Sequence, residues 1–290
     1  MNIKLSILAS FCFLSVAMSL PVTAQEIDSG VSQQLEGFNL NGYTDDGKKS
    51  WEVNGAKADI GDDKIKVTDV DANFYGKQKA NLKSDTGTID KVNGEVNLKD
   101  NVVVTSERGT TMKTDTLNWD RNKDVVSTKD MVTIEDEQGV ITGTGMTAQP
   151  GLKKAQLNED VKAVINTSSK SASKAAADNQ TVTITSDGAM QMDQVKMYAV
   201  FNKNVVAVEV TTGRELHADK MEVWFDDKNK KIKKIICSGN VVVIQGGNAS
   251  YADEMVYDGA SQLLTMTGRP KLVFDTGDTQ GSGLFQQLGQ

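Results

Sequence analysis

The sequence predicts an all-β protein built from antiparallel strands. Three observations lead there. Short runs alternate apolar and polar residues, Thr181-Val182-Thr183-Ile184-Thr185 being the clearest. No long segment after residue 24 repeats at 3.6 residues. A strand-sized unit recurs: Asp100-Asn101-Val102-Val103-Val104 returns as Lys203-Asn204-Val205-Val206-Ala207 and as Gly239-Asn240-Val241-Val242-Val243. With 3 prolines and 25 glycines, the composition suits strands joined by tight turns.

Along the chain, Lys4 and the apolar run Leu5 to Leu20 come first, followed by Pro21 and Val22-Thr23-Ala24 before Gln25. A basic start, a short apolar core and a small-x-small ending make residues 1–24 a secretory signal peptide. The run is short for a membrane span; the rival reading is an uncleaved inner-membrane anchor. Cys12 with Phe11 before it does not suit a lipoprotein site. Residues 25–36 are polar and aperiodic, a flexible lead-in. From residue 37 to 165 alternating runs follow one another, including Lys64–Val70, Val96–Thr105 and Met131–Glu135. Residues 166–180 carry almost no large apolar side chain and read as a linker. Residues 181–274 resume the alternation, with Met221–Phe225 and Met255–Tyr257, and 275–290 form a loose tail.

Each Asn-Val-Val run is followed, 14, 15 and 13 residues after its Asn, by a second element. These are Thr114-Asp115-Thr116-Leu117-Asn118-Trp119, Ala218-Asp219-Lys220-Met221-Glu222-Val223 and Ala252-Asp253-Glu254-Met255-Val256-Tyr257. The second and fourth positions after each Asp are large and apolar, and they share one face because strand side chains alternate. The Asn and Asp are expected in turns ahead of the strands. One such unit has too little core to fold alone, so successive units must stack. The Val-Val runs are apolar on both faces, which leaves their inward register open.

Catalysis finds little support. His217 is the one histidine, and nothing at ligand spacing joins it. Removing the leader leaves Cys237 as the one thiol, so no internal disulfide is available, and it reads as a buried hydrophobe. A Cys237–His217 pair would need the fold to join them. Acidic pairs such as Asp62-Asp63, Asp69 with Asp71, Glu135 with Asp136 and Glu137, and Asp226-Asp227 read as solvated turns rather than a glycosidase dyad. The net charge of −7 argues against nucleic acid. Lys228, Lys230, Lys231, Lys233 and Lys234 read as a solvated hairpin, with a phosphate contact at the mouth of a groove as the sharper alternative. The apolar face, rich in Val, Ile and Met, fits a packed interior and an adaptable lipid-lined trough equally.

Phe38-Asn39-Leu40-Asn41-Gly42-Tyr43-Thr44-Asp45-Asp46-Gly47 leading to Trp51-Glu52-Val53, then Asn101 to Val104 with Gly109, Leu117-Asn118-Trp119, Val132-Thr133-Ile134 and Gly143-Thr144-Gly145-Met146, resemble the lipopolysaccharide-export protein family LptC over residues 38–165. Val182 to Asp187, Gly239 to Val243, and Ala252-Asp253 with Met255 and Tyr257 resemble the LptA/OstA-like group over residues 181–274. The resemblance implies two open β-jellyroll modules, V-shaped, with an apolar interior groove that holds the acyl chains of lipopolysaccharide. It implies a periplasmic transport protein in the bridge from inner to outer membrane. Its implied partners are other Lpt-type jellyrolls, joined edge strand to edge strand, and an inner-membrane Lpt transporter complex that supplies the energy; no cofactor is implied. The family's groove interior maps onto Val182, Ile184, Phe201, Met221, Val223, Met255 and Tyr257, and in the first module onto Leu117, Trp119, Val132 and Ile134. The chain departs from the family in its cleavable-looking leader and in joining two modules. The competing readings are a structural or adhesive β-repeat with a closed, lipid-free core, and an envelope hydrolase.

Overall fold

The computed structural model describes residues 33–75, 79–166, 181–226 and 232–274. The leader, the linker from 167 onward, the tail and Lys228, Lys230 and Lys231 lie outside the described residues. Seventeen strands and one 3-10 turn, Pro150–Leu152, make up the described chain. The first nine strands are β1 (Gln33–Tyr43), β2 (Lys49–Ile60), β3 (Lys64–Phe74), β4 (Ala80–Asp90), β5 (Glu95–Ser106), β6 (Thr111–Asp120), β7 (Val125–Asp136), β8 (Gly139–Gln149) and β9 (Lys154–Asn166). The rest are β10 (Thr181–Ser186), β11 (Met190–Asp193), β12 (Tyr198–Glu209), β13 (Arg214–Phe225), β14 (Ile232–Gln245), β15 (Asn248–Asp258), β16 (Leu263–Thr267) and β17 (Lys271–Val273). Residues 33–36 thus belong to the first strand, not to the polar lead-in expected over 25–36. Their polarity is tolerated because β1 is an edge whose backbone pairs with β2, Gln33 opposite Ile60.

All strands form a single antiparallel meander. β10 and β11 behave as one interrupted strand: both lie between β9 and β12. The sheet therefore runs without a break through the compositional gap at 166–180, with Thr181 paired to Asn166. β16 and β17 form a second interrupted strand against β15.

A row of irregularities crosses the middle of the sheet. Pairing slips between Lys99 and Val102, Thr128 and Met131, Asn202 and Val205, and Ser238 and Val241. Asp69, Asp100, Asn101, Asp160, Lys203, Asn204 and Asn240 take left-handed backbone there. The Asn residues of the repeat therefore sit at bulges inside long strands, not in turns ahead of them. A bulge needs the same positive φ that Asn, Asp and Gly supply in turns. Each repeat Asn donates its amide to a neighbouring carboxylate: Asn101 to Asp85 of β4 at 2.7 Å, Asn204 to Asp187 in the break between β10 and β11 at 2.6 Å, and Asn240 to Asp219 of β13 at 2.9 Å. Gly239 is required at its place, since a Cβ would lie 2.3 Å from Asp219 Oδ2.

The crease divides the long strands into two halves, and residues of both halves join in one apolar cluster. The inner face carries one buried apolar cluster from Phe38 to Met255, with Ala207, Leu216, Val243 and Tyr257 half-buried toward the C-terminal end. Among the described residues no helix or second sheet covers it, so the two halves, here called leaves, cover each other.

The turns at the tip of one leaf share a device. Asp90, Asp120, Asp193 and Asp258 each accept two backbone N–H groups, from the residues two and three positions on. Four positions on, Gly94, Asp124, Met197 and Gln262 are left-handed. These bonds pull carboxylates below their ordinary value of 3.8: chiefly the Asn93 amide for Asp90, the Lys123 ammonium and then its amide for Asp120, and the Ser261 amide for Asp258. A lowered carboxylate stabilises the fold fully above its unfolded value and loses that stabilisation as pH falls through its folded one. Urea midpoints should therefore drop as pH falls below about 3.8. A triple Asp90→Asn, Asp120→Asn, Asp258→Asn variant keeps acceptors for the turns and should show a shallower acid loss. An equally steep loss would remove these turns from the account.

Candidate functional site

The interior is built from apolar residues aligned across the strands. On the first leaf, cross-strand pairing links Val104, Met112, Ile134, Ile141, Ala163, Ile184, Ala207, Leu216 and Val243. On the second leaf one row runs Val96, Trp119, Val126, Ala148, Ala155, Met192, Ala199, Val223, Ile235, Tyr257 and Leu264. Beside it lies a sulfur-rich row: Met146, Leu157, Met190, Phe201, Met221, Cys237, Met255 and Met266. All three cross from β9 to β10 or β11 without a polar interruption.

The expected interior residues all project to this inner side. Val132, Ile134, Val182 and Ile184 stand on the first leaf. Leu117, Trp119, Phe201, Met221, Val223, Met255 and Tyr257 stand on the second. Most are buried, Val132 completely and Leu117 to 1 % exposure; Val182 and Tyr257 are half-buried. The register left open in the Asn-Val-Val runs is now plain: Val102, Val104, Val205 and Val241 are buried, while Val103, Val206 and Val242 face outward and are half-buried. Sequence reasoning missed Ile141, Met146, Ala163 and Met190 as interior residues, whereas Cys237 is buried as its reading required. Met190 and Met192 were findable, since they alternate beyond Ser186 across the short Asp187-Gly188-Ala189 break.

The interior is tightly filled at the joint. A void of about 10 Å³ lies between the leaves at the joint, lined by Ile134 and Ile141 from one side and Met146, Ala155, Leu157, Met190 and Met192 from the other. That is room for about one water and no acyl chain. Cys237 is fully buried beside Met221 and Met255, and burial pushes its thiol up to about 12. It should resist a thiol-specific alkylating agent at neutral pH in the native protein and react within the dead time once unfolded. Fast native labelling would mean that the leaves stand apart.

Other candidates are not brought together. His217 lies on the outer face of the first leaf, its Nε2 3.0 Å from Glu215 Oε2, whereas Cys237 faces inward on the second. Asp69 and Asp71 flank the crease, and Asp71 pairs with Lys83 at 3.1 Å. Lys233 is exposed; Lys234 lies between Trp224 and Asp258. Near the N-terminal edge, Lys49, Asn39 and Tyr75 all donate to Glu52 and hold its carboxyl at about 2. Among the described residues no helix is long and apolar enough to cross a membrane.

Comparison with protein families decides the assignment. Residues 5–166 match the family model described as lipopolysaccharide-assembly, LptC-related. The chain belongs to that family. Residues 183–288 match a second model, the LptA/(LptD N-terminal domain) LPS transport protein. No curated protein matches the chain. Two components of lipopolysaccharide transport are thus joined in one LptC-related chain, and its place is in the bridge that carries lipopolysaccharide through the envelope. Both families are transport proteins rather than enzymes.

Proposed function

We propose that the acyl chains of lipopolysaccharide pass between the two leaves, along the aligned apolar rows, from the LptC-like module at 37–165 to the LptA-like module at 181–274. The observation that supports this most is the continuity of all three rows across the β9 joint. An internal β-ladder here stands where separate chains would pair edge to edge. Among the described residues the outer edges have no further strand paired to them. β1 at one end and β16 with β17 at the other carry exposed Leu40, Leu263, Leu264 and Leu272, the surface that pairing with further Lpt-type jellyrolls would cover. The leader at 1–24 is read as cleaved, with the protein periplasmic and without catalytic activity. Because the void at the joint is only about 10 Å³, lipid crossing there must part the leaves, with the crease as the natural hinge. Thermal motion alone does not drive such a step up a gradient, which fits an energy source in an inner-membrane transporter.

A photo-crosslinker at Ile184 or Phe201 should capture lipopolysaccharide in a Gram-negative envelope. Crosslinks to protein alone at both positions would sink the reading. The burial of the cluster from Phe38 to Met255 favours one alternative, a structural repeat with a dry core. Mass spectrometry of gently extracted protein separates the two, since that alternative predicts no bound lipid.

A further inference from the structure

We propose that Met192 is the side chain that gives way when acyl chains cross from the first module to the second; this rests on the interior path proposed above. One inner row of the second leaf changes size at the joint. It carries Trp119 of β6 and Val126 of β7 on one side, and Val223 of β13 and Ile235 of β14 on the other. Between them stand Ala148 of β8, Ala155 of β9, Met192 of β11 and Ala199 of β12, each opposite the next across the ladder. Three of these four strands thus contribute only a methyl group to the row. The alanines leave a notch across the joint, and Met192 stands inside it.

The void between the leaves adjoins this notch, since Ala155 and Met192 both line it, and Ile134 and Ile141 face them from the first leaf. Those two isoleucines are stiff. Each is β-branched and buried, on a strand of 12 or 11 residues paired along both sides. In the adjacent row Leu157 and Met190 are buried and pair with each other across the ladder, which makes them the floor. Met192 is the opposite case. It is half-buried, and its unbranched side chain has three rotatable bonds. Its cross-strand neighbours Ala155 and Ala199 end at Cβ, so neither blocks a change of rotamer. Its strand is four residues long and follows directly on the Asp187-Gly188-Ala189 break. As the leaves part, rotation of Met192 over an alanine frees its space for a methylene chain while the ladder bonds stay in place.

The test uses the full chain in a Gram-negative envelope, with photo-crosslinkers placed in turn at Val132, before the joint, and at Tyr257, beyond it. The ratio of lipopolysaccharide captured at Tyr257 to that captured at Val132 measures passage. Met192→Ile conserves volume and suits a strand but fixes χ1. It should lower the ratio about tenfold, the effect of a rigid side chain that must leave its rotamer or crowd the passing chain. Met192→Ala leaves the notch empty and should raise the ratio about threefold, roughly what one side chain no longer ordered against the lipid is worth. Urea midpoints of the purified variants check folding, and if the isoleucine variant does not fold, the alanine variant decides alone. An unchanged ratio in a folded isoleucine variant, or an unchanged or lowered ratio in the alanine variant, would overturn the role of Met192 while leaving the interior path intact. A parent chain that captures lipopolysaccharide at neither position would defeat the interior path itself.

Discussion

Leu117→Ala should lower the unfolding free energy by about 2–5 kcal/mol, a large share of the roughly 5–15 kcal/mol that holds a domain folded. Leu117 is 1 % exposed, pairs across the ladder with Leu98, and belongs to the single apolar cluster between the leaves. Truncating it removes buried methyl and methylene groups and leaves a cavity that the β-ladder, pinned by its hydrogen bonds, closes only in part. The matched control is Met131→Ala, on a neighbouring strand but 66 % exposed, where a change within about 0.5 kcal/mol is expected. Urea denaturation of both variants measures the difference. The result also reports on the resting state of the interior. In an open trough Leu117 would face solvent or lipid, and its truncation would cost no more than the control. A small effect at Leu117 would therefore mean that the leaves rest apart.

The strand faces were legible because period-two alternation survives any uncertainty about where strands end. Val182 with Ile184, Met221 with Val223 and Leu117 with Trp119 are each on the inner side, as the pattern requires. Strand length was not legible in the same way. Asp100-Asn101 looked like a turn because bulge and turn ask for the same left-handed backbone, and side-chain chemistry does not separate them. The distinguishing signal was spacing: Asp85, Asp100, Asp115, Asp130 and Asp160 stand at intervals of 15, with Gly145 in the remaining place. That interval is one strand plus one turn of the meander, so the residues had to line up across the sheet. In β6 the crease also switches parity, from Met112 and Thr114 inward to Leu117 and Trp119 inward, which no uninterrupted alternation foretells.

The joint was the least legible feature. Residues 166–180 break the composition, yet the backbone on either side pairs directly, because a ladder of N–H and C=O groups leaves no mark on side-chain type. Depth was hidden too: alternation assigns Tyr257 to the inner side but not to its half-buried position beside Leu264.

Thr183→Pro should uncouple the two halves of the chain. Thr183 stands in the middle of β10, opposite Val164 of β9 and Val208 of β12, so strands flank it on both sides. Proline there removes a ladder hydrogen bond and forces its ring against a neighbouring strand, at a cost of about 3 kcal/mol or more. The Thr183 side chain points away from the interior and is half-buried, so the apolar rows keep every residue. With β10 only six residues long and β11 four, few other ladder bonds hold the joint. Unfolding should then separate into two transitions where the parent shows one, since each half retains its own core on either side of β9. In the envelope, a crosslinker at Val132 should still capture lipopolysaccharide, while one at Phe201, beyond the joint, should lose most of its signal. Thr183→Val, which keeps the N–H and suits a strand, should behave as the parent. Undiminished capture at Phe201 in the proline variant would mean that lipid reaches the second half without crossing the β9 ladder.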